Sequence, residues 1–333
     1  MRTWLLISLL ITSGCYARFN SEAVSAVIHD FDFNGVVLVA QKNRVLYQKS
    51  FGYADYAKKQ RFSGHEAFYL ASVSKQFTAV AIAMLVEQGK LSFNSEVGPW
   101  FKDIPLLANG IKVKHLLEHT SGLPDYYGII RVPAGFNNQG VLRLLRTQQK
   151  LNYAPGEKHE YSNSNYIVLA EIIARISGQS FSSFLEQKIV RPLGLKNTFA
   201  RDKPRQRLMA QRHNEQMRIM PYAFYTVGAG GIYSNAADLR RFNLALLNNR
   251  LISAKSRQIL WQPRVISKHD VPYGYGFYVL PEQNIIYHDG NLSGAHTMNW
   301  LSPQKGLMII ILSNKRTKSV RAMTEKIAKI LTK

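Results

Sequence analysis

Residues 36–40 (Val-Val-Leu-Val-Ala) are an unbroken apolar run, followed by the polar pair Lys42-Asn43 and then Val45-Leu46-Tyr47. Two short apolar segments around a polar turn predict a β-hairpin. After Phe68-Tyr69-Leu70 the period changes. Phe77 to Gln88 is a strongly apolar helical run that stops at Gly89. From about residue 90 to 220 the pattern stays helical, broken by loops near Pro99, Pro105, Pro124, Pro155 and Pro192. Gly228-Ala229-Gly230-Gly231 reads as a flexible, close-approach turn, and Asn235 with Asp238 as a capping pair for a helix through Leu247. The segments 273–280, 284–288, 297–301 and 307–312 read as a strand meander. Near the end, Val320, Met323, Ile327, Ile330 and Leu331 share one helical face, suited to packing on a sheet or, in a sharper reading, to a membrane surface. Strands at both ends around a helical middle predict an α+β fold: an antiparallel sheet flanked by helices, with an inserted mainly helical part. The sheet part is expected over about 20–75 and 230–333, and the helical part over about 76–229.

The first 17 residues read differently from the rest. Met1-Arg2 is a short basic start, Trp4 to Ile11 is nearly all apolar, and Thr12-Ser13-Gly14 supplies small residues before Cys15. That is a signal-peptide layout with an apolar run too short to span a membrane stably. The stretch Ile11 to Cys15 also resembles a lipobox, in which Cys15 would become the lipid-modified first residue; ordinary cleavage near Ala17 is the competing reading. The expectation is an exported protein of the bacterial periplasm or envelope, touching membrane only through a lipid on Cys15. As Cys15 is the only cysteine among 333 residues, no intrachain disulfide or cysteine-rich metal cluster can form.

Lys and Arg number 43 against 21 Asp and Glu, a net charge of +22. The densest basic stretches are 201–218 and 315–333, with six and seven Lys/Arg against two acids and one. No nucleic-acid motif accompanies the charge. For an exported chain, a solvated basic surface or contact with an anionic envelope surface is the expectation.

Ser-x-x-Lys places a nucleophile and a base on one helix face. It occurs twice, at Ser72/Lys75 and Ser302/Lys305. Ser302 lies in a Pro- and Gly-containing turn, where nothing would desolvate the lysine. Ser72 opens the long apolar helix, so its hydroxyl sits near the positive end of the dipole and Lys75 is buried toward its neutral form. His115 and His119, four residues apart, lack a third zinc-type ligand and read as structural. Tyr126, Tyr127, Tyr222, Phe224, Tyr225 and Tyr275 are candidates for a pocket wall or for core, and the sequence leaves both open.

Two further segments complete a pattern. Tyr161-Ser162-Asn163 and His288-Asp289-Gly290 follow Ser72 and Lys75 in the order of the three motifs of serine β-lactamases and penicillin-binding proteins. Leu116 to Pro124, Tyr153 to Glu157, Pro192 to Leu195 and Gly230 to Ser234 are similar to further blocks of that family, so the resemblance spans about Asn34 to Asn314. With Tyr-Ser-Asn and His-x-Gly the chain most resembles the class C β-lactamase-related serine hydrolases, which include esterases and D-amino-acid peptidases. The resemblance implies a cofactor-free and metal-free enzyme acting on a small ester, peptide or β-lactam. Ser72 would be acylated, Lys75 and Tyr161 would share its proton, and Asn163 would orient Lys75 or bind the substrate amide. The backbone N–H groups of Ser72 and Asn291, just past Gly290, would form the oxyanion hole. His288 would replace the usual lysine as a weaker, pH-dependent anchor for a substrate carboxylate, which favours esters or neutral amides.

Overall fold

The computed structural model describes residues 19–203, 208–220, 224–317 and 319–331. The signal-peptide reading, Cys15 and Tyr222 lie outside them. An eight-stranded antiparallel sheet forms the frame. Its order across the sheet is Arg44–Phe51, Gly35–Gln41, Leu307–Ser313, Ala295–Ser302, Ile285–Leu292, Tyr278–Leu280, Pro272–Tyr273 and Val265–Ile266. The hairpin turns at Lys42 with φ +50°, and Gly35–Gln41 pairs on its other side with Leu307–Ser313, from the far end of the chain.

Both faces of the sheet are covered, which explains why the central strands read as continuous apolar runs rather than alternating ones. Val37, Val39, Ile309 and Ile311 meet Val24, Ile28, Met323 and Ile327 from the helices Ser21–His29 and Val320–Leu331. The last helix therefore packs on the sheet. Val36, Leu38, Ile310 and Leu312 face the other way, into a core shared with Phe77 and Phe242, whose rings stack at 4.0 Å. Asn235 caps the helix Ala236–Leu247 by accepting from the Asp238 N–H at 2.9 Å.

The expected strand over 273–280 is two strands, Pro272–Tyr273 and Tyr278–Leu280, separated by a turn at Gly276 with φ +79°. Within the helical middle, Phe199–Ala200 is a short strand. It pairs with Ile232–Ser234, which pairs in turn with Phe68–Tyr69, so this small sheet leads the chain to the nucleophile turn. No described helix is long and apolar enough to cross a membrane.

Candidate active site

The chain leaves the strand Phe68–Tyr69, takes a left-handed step at Ala71 (φ +48°), and makes one 3-10 turn carrying Ser72 before the helix Ser74–Glu87. A non-glycine residue in that region costs of order 1–3 kcal/mol and persists only where its surroundings hold it. Here Thr297 Oγ1 donates to the Leu70 carbonyl at 2.7 Å, and Leu70 N–H donates to the Ile232 carbonyl at 2.9 Å. Gly290 lies against this turn from the neighbouring strand. A Cβ on it would stand 2.4 Å from both the Leu70 oxygen and Thr297 Oγ1. Glycine is what lets the His288–Asn291 strand approach the nucleophile.

Lys75 lies one turn into the helix with its side chain fully buried. Its Nζ donates to Ser72 Oγ at 3.2 Å, to Asn163 Oδ1 at 3.0 Å and to the Ala229 carbonyl at 2.8 Å. Burial pulls its pKa from 10.5 down to about 7, opposed by the Asp125 carboxylate. Tyr161 stands in hydrogen-bonding reach of the Ser72 hydroxyl, and Lys75 Nζ lies 4.8 Å from its ring centre. Burial of the phenol raises its pKa well above 10, so it keeps its proton.

Asn163 opens the helix Asn163–Ser177, and its Nδ2 donates to Asp125 Oδ2 at 2.9 Å. The oxygen of the amide is thereby turned to Lys75. Asp125 caps the short helix Tyr126–Ile129. Ser164 fixes its surroundings by donating to the Pro124 carbonyl at 2.7 Å and accepting from the Tyr126 N–H at 3.1 Å. The 228–231 turn approaches closely. Gly228 has φ +110°, a Cβ there would stand 2.3 Å from the Tyr166 carbonyl oxygen, and Thr78 donates to its carbonyl at 2.8 Å.

Ser72, Tyr161, Asn163, His288 and Asn291 line one cleft of about 390 Å³, with Asp125, Tyr126 and Tyr127 on its wall. Phe224, Tyr225 and Tyr275 are not among its lining residues. Ser302 is buried at the end of its strand, away from this cleft.

The electrostatics of His288 differ from the expected pH-dependent anchor. Its Nδ1 donates to the Asp289 carbonyl at 2.7 Å, which leaves Nε2 to accept from the Tyr273 hydroxyl at 3.1 Å. Both ring nitrogens are occupied and the ring is buried. Burial lowers its pKa to about 4, so the imidazole is neutral through the physiological range. His115 accepts the Lys112 N–H at 3.2 Å at its helix start. His119, just past that helix, is turned instead toward Tyr161.

Sequence reasoning missed Asp125 and the Ala229 carbonyl. Asp125 directly follows the quoted block ending at Pro124, and as a helix cap it carried a local signal but no sign of its partner.

The Beta-lactamase family model matches residues 24–332. "Penicillin-binding protein 4*" of Bacillus subtilis strain 168 is 33% identical over 315 residues, covering 85% of this chain and 68% of the relative. "Teichoic acid D-alanine hydrolase" of Staphylococcus aureus strain MRSA252 is 27% identical, covering 87% of this chain and 72% of the relative. Among solved structures, D-amino acid amidase from Ochrobactrum anthropi SV3 superposes with a TM-score of 0.81 at 21% identity, covering 93% of this chain and 98% of the other. The ordered motifs, the antiparallel sheet with its helical body and these matches agree: the chain belongs to the β-lactamase family of serine hydrolases.

Proposed function

We propose that this protein removes D-aminoacyl groups from small esters and amides through an acyl-enzyme on Ser72. The observation that carries the reading is the buried Lys75 amine, hydrogen-bonded to Ser72 Oγ and Asn163 at once. Held near neutrality by burial, it is the group able to take the serine proton at physiological pH, whereas Tyr161 holds its own. Lys75 accepts the Ser72 proton as Oγ bonds to the substrate carbonyl carbon. The oxyanion is received by the backbone N–H groups of Ser72 and Asn291. The Tyr161 phenol donates to the leaving oxygen or nitrogen as that bond breaks, and is reprotonated from Lys75. Water then hydrolyses the ester on Ser72.

The D-aminoacyl character is supported by the names of the hydrolase and amidase relatives and by the charges of the cleft. Asp125 offers a carboxylate to a substrate ammonium beside Ser72, and neutral His288 gives no cation to a substrate carboxylate; Asp289 is paired with Arg321 at 3.5 Å, and Lys268 is the cation of the lining. A second reading is favoured by the relative named as a penicillin-binding protein: Ser72 acylated by β-lactams, with either turnover as a β-lactamase or little turnover as a sensor. Export, with or without a lipid on Cys15, is part of this proposal and rests on residues 1–17. The net charge of +22 suits an anionic envelope surface around the protein.

The test is release of p-nitroaniline from D-alanine and L-alanine p-nitroanilides, with benzylpenicillin consumption measured in parallel. The expected result is a D-over-L preference of about tenfold or more in kcat/KM. An L preference would overturn the D-aminoacyl reading, and rapid penicillin consumption alone would favour the second one.

A further inference from the structure

His119 takes no part in the steps above, yet it grips the chain around Tyr161 in three ways. Its carbonyl accepts the Glu160 N–H at 2.9 Å, and its Nδ1 accepts the Ser162 N–H at 3.3 Å. Between those two peptides its ring stacks on Tyr161, with centroids 4.2 Å apart and planes inclined by 28°. Asn165 Nδ2 donates to the same Nδ1 at 3.2 Å and is itself fixed by the Ser121 hydroxyl on its Oδ1. Two donors on Nδ1 place the ring proton on Nε2. That Nε2 is buried and has no hydrogen-bond partner among the described residues. The grip also requires residue 119 to sit at φ +59°, a left-handed conformation uncommon outside glycine but among those histidine adopts most readily.

We infer that His119 is a positioning residue for Tyr161: it fixes the height and plane of the phenol beside Ser72 and presents a neutral ring on the side of Lys75. This rests on the Ser72–Lys75–Tyr161 reading above. A merely structural histidine would need only its hydrogen bonds. The stacked ring, bracketed by contacts to residues 160 and 162, constrains the one side chain whose hydroxyl must meet Ser72. Burial first, and the nearby Lys75 second, hold the imidazole well below its ordinary pKa of 6.5, so it adds no charge against the Lys75 ammonium.

His119→Asn tests this, because asparagine tolerates the left-handed backbone and keeps an acceptor at similar reach while losing the ring. His119→Gln is the second variant. With the faster of the D- and L-alanine p-nitroanilides as substrate, whose anilide nitrogen must take a proton to leave, kcat is expected to fall by about tenfold to a hundredfold. KM should stay within about twofold, and the pH dependence of kcat should shift. In a Tyr161→Phe background the same substitution should cost almost nothing more. Unchanged kcat, or parallel losses in kcat and KM with an unmoved pH profile, would overturn the inference. So would an equal loss in the Tyr161→Phe background. Near-wild-type Tyr161→Phe would instead overturn the catalytic reading of Tyr161 and this inference with it, an outcome distinct from a crippled Tyr161→Phe beside harmless His119 variants.

Discussion

Lys75 Nζ and Asn163 Oδ1, 88 residues apart in sequence, meet at 3.0 Å, and Asp125 determines that it is the amide oxygen that faces the amine. Asp125 acts on Lys75 in a second way, because its negative charge raises a pKa that burial lowers. Asp125→Asn should therefore move the acid limb of the kcat/KM profile to lower pH, as the neutral amine becomes easier to form. The misoriented Asn163 should also cost about tenfold in kcat. A pH–rate profile checks both, and an acid limb that stays in place or moves upward would contradict the role.

The same burial couples Lys75 to stability. Its folded pKa of about 7 lies below the unfolded value of 10.5, so the unfolded chain binds more protons between those limits. The destabilisation from burying the ammonium is full below pH 7 and is relieved as pH rises toward 10.5. Lys75→Met should lose this rise, and wild type minus variant stability should increase between pH 6.5 and 9.5. Urea titrations at the two pH values measure it. Activity of the variant should fall by at least about a hundredfold at either pH.

His288 holds no titratable cation in the neutral range, since burial lowers its pKa to about 4 and Tyr273 donates to its Nε2. The affinity for benzylpenicillin, which carries a carboxylate, should therefore not tighten through an apparent pKa near 6.5 as pH falls from 8 to 5.5. Acylation kinetics across that range read this directly. A tightening centred near 6.5 that His288→Asn removes would restore the anchor role.

Gly290→Ala would place a methyl group 2.4 Å from the Leu70 oxygen and from Thr297 Oγ1, with Ala71 Cβ at 3.0 Å. The expected cost is about 1–3 kcal/mol of stability, together with displacement of the strand from the nucleophile turn. Thermal melting and kcat should fall together. A variant of full stability and activity would show that the close approach is not required.

Much of this site was legible because its chemistry sits in local signals. Ser72, in the 3-10 turn that leads into the helix rather than at its first residue, still lies one turn before Lys75, and Tyr161 with Asn163 stands at a helix start. The sheet was legible in part: Val36 to Ala40 read as a hairpin arm and Leu307 to Leu312 as a meander strand, but not that they pair with each other or that both of their faces are covered. The rest depends on partners distant in sequence. Asp125 matters because Asn163 reaches it, and the 228–231 turn because Lys75 donates to its Ala229 carbonyl, an atom every residue possesses. The neutral state of His288 follows from Tyr273 and from burial, neither of which is written in His-x-Gly.

Every step of this mechanism passes through acylation of Ser72. The most direct test is the intact mass of the protein quenched in acid within the first turnovers of p-nitrophenyl acetate, for wild type, Ser72→Ala and Ser302→Ala. A single acetyl increment is expected on wild type and on Ser302→Ala, mapped by peptide fragmentation to Ser72, and none on Ser72→Ala. An increment that survives in Ser72→Ala, or that vanishes in Ser302→Ala, would contradict it.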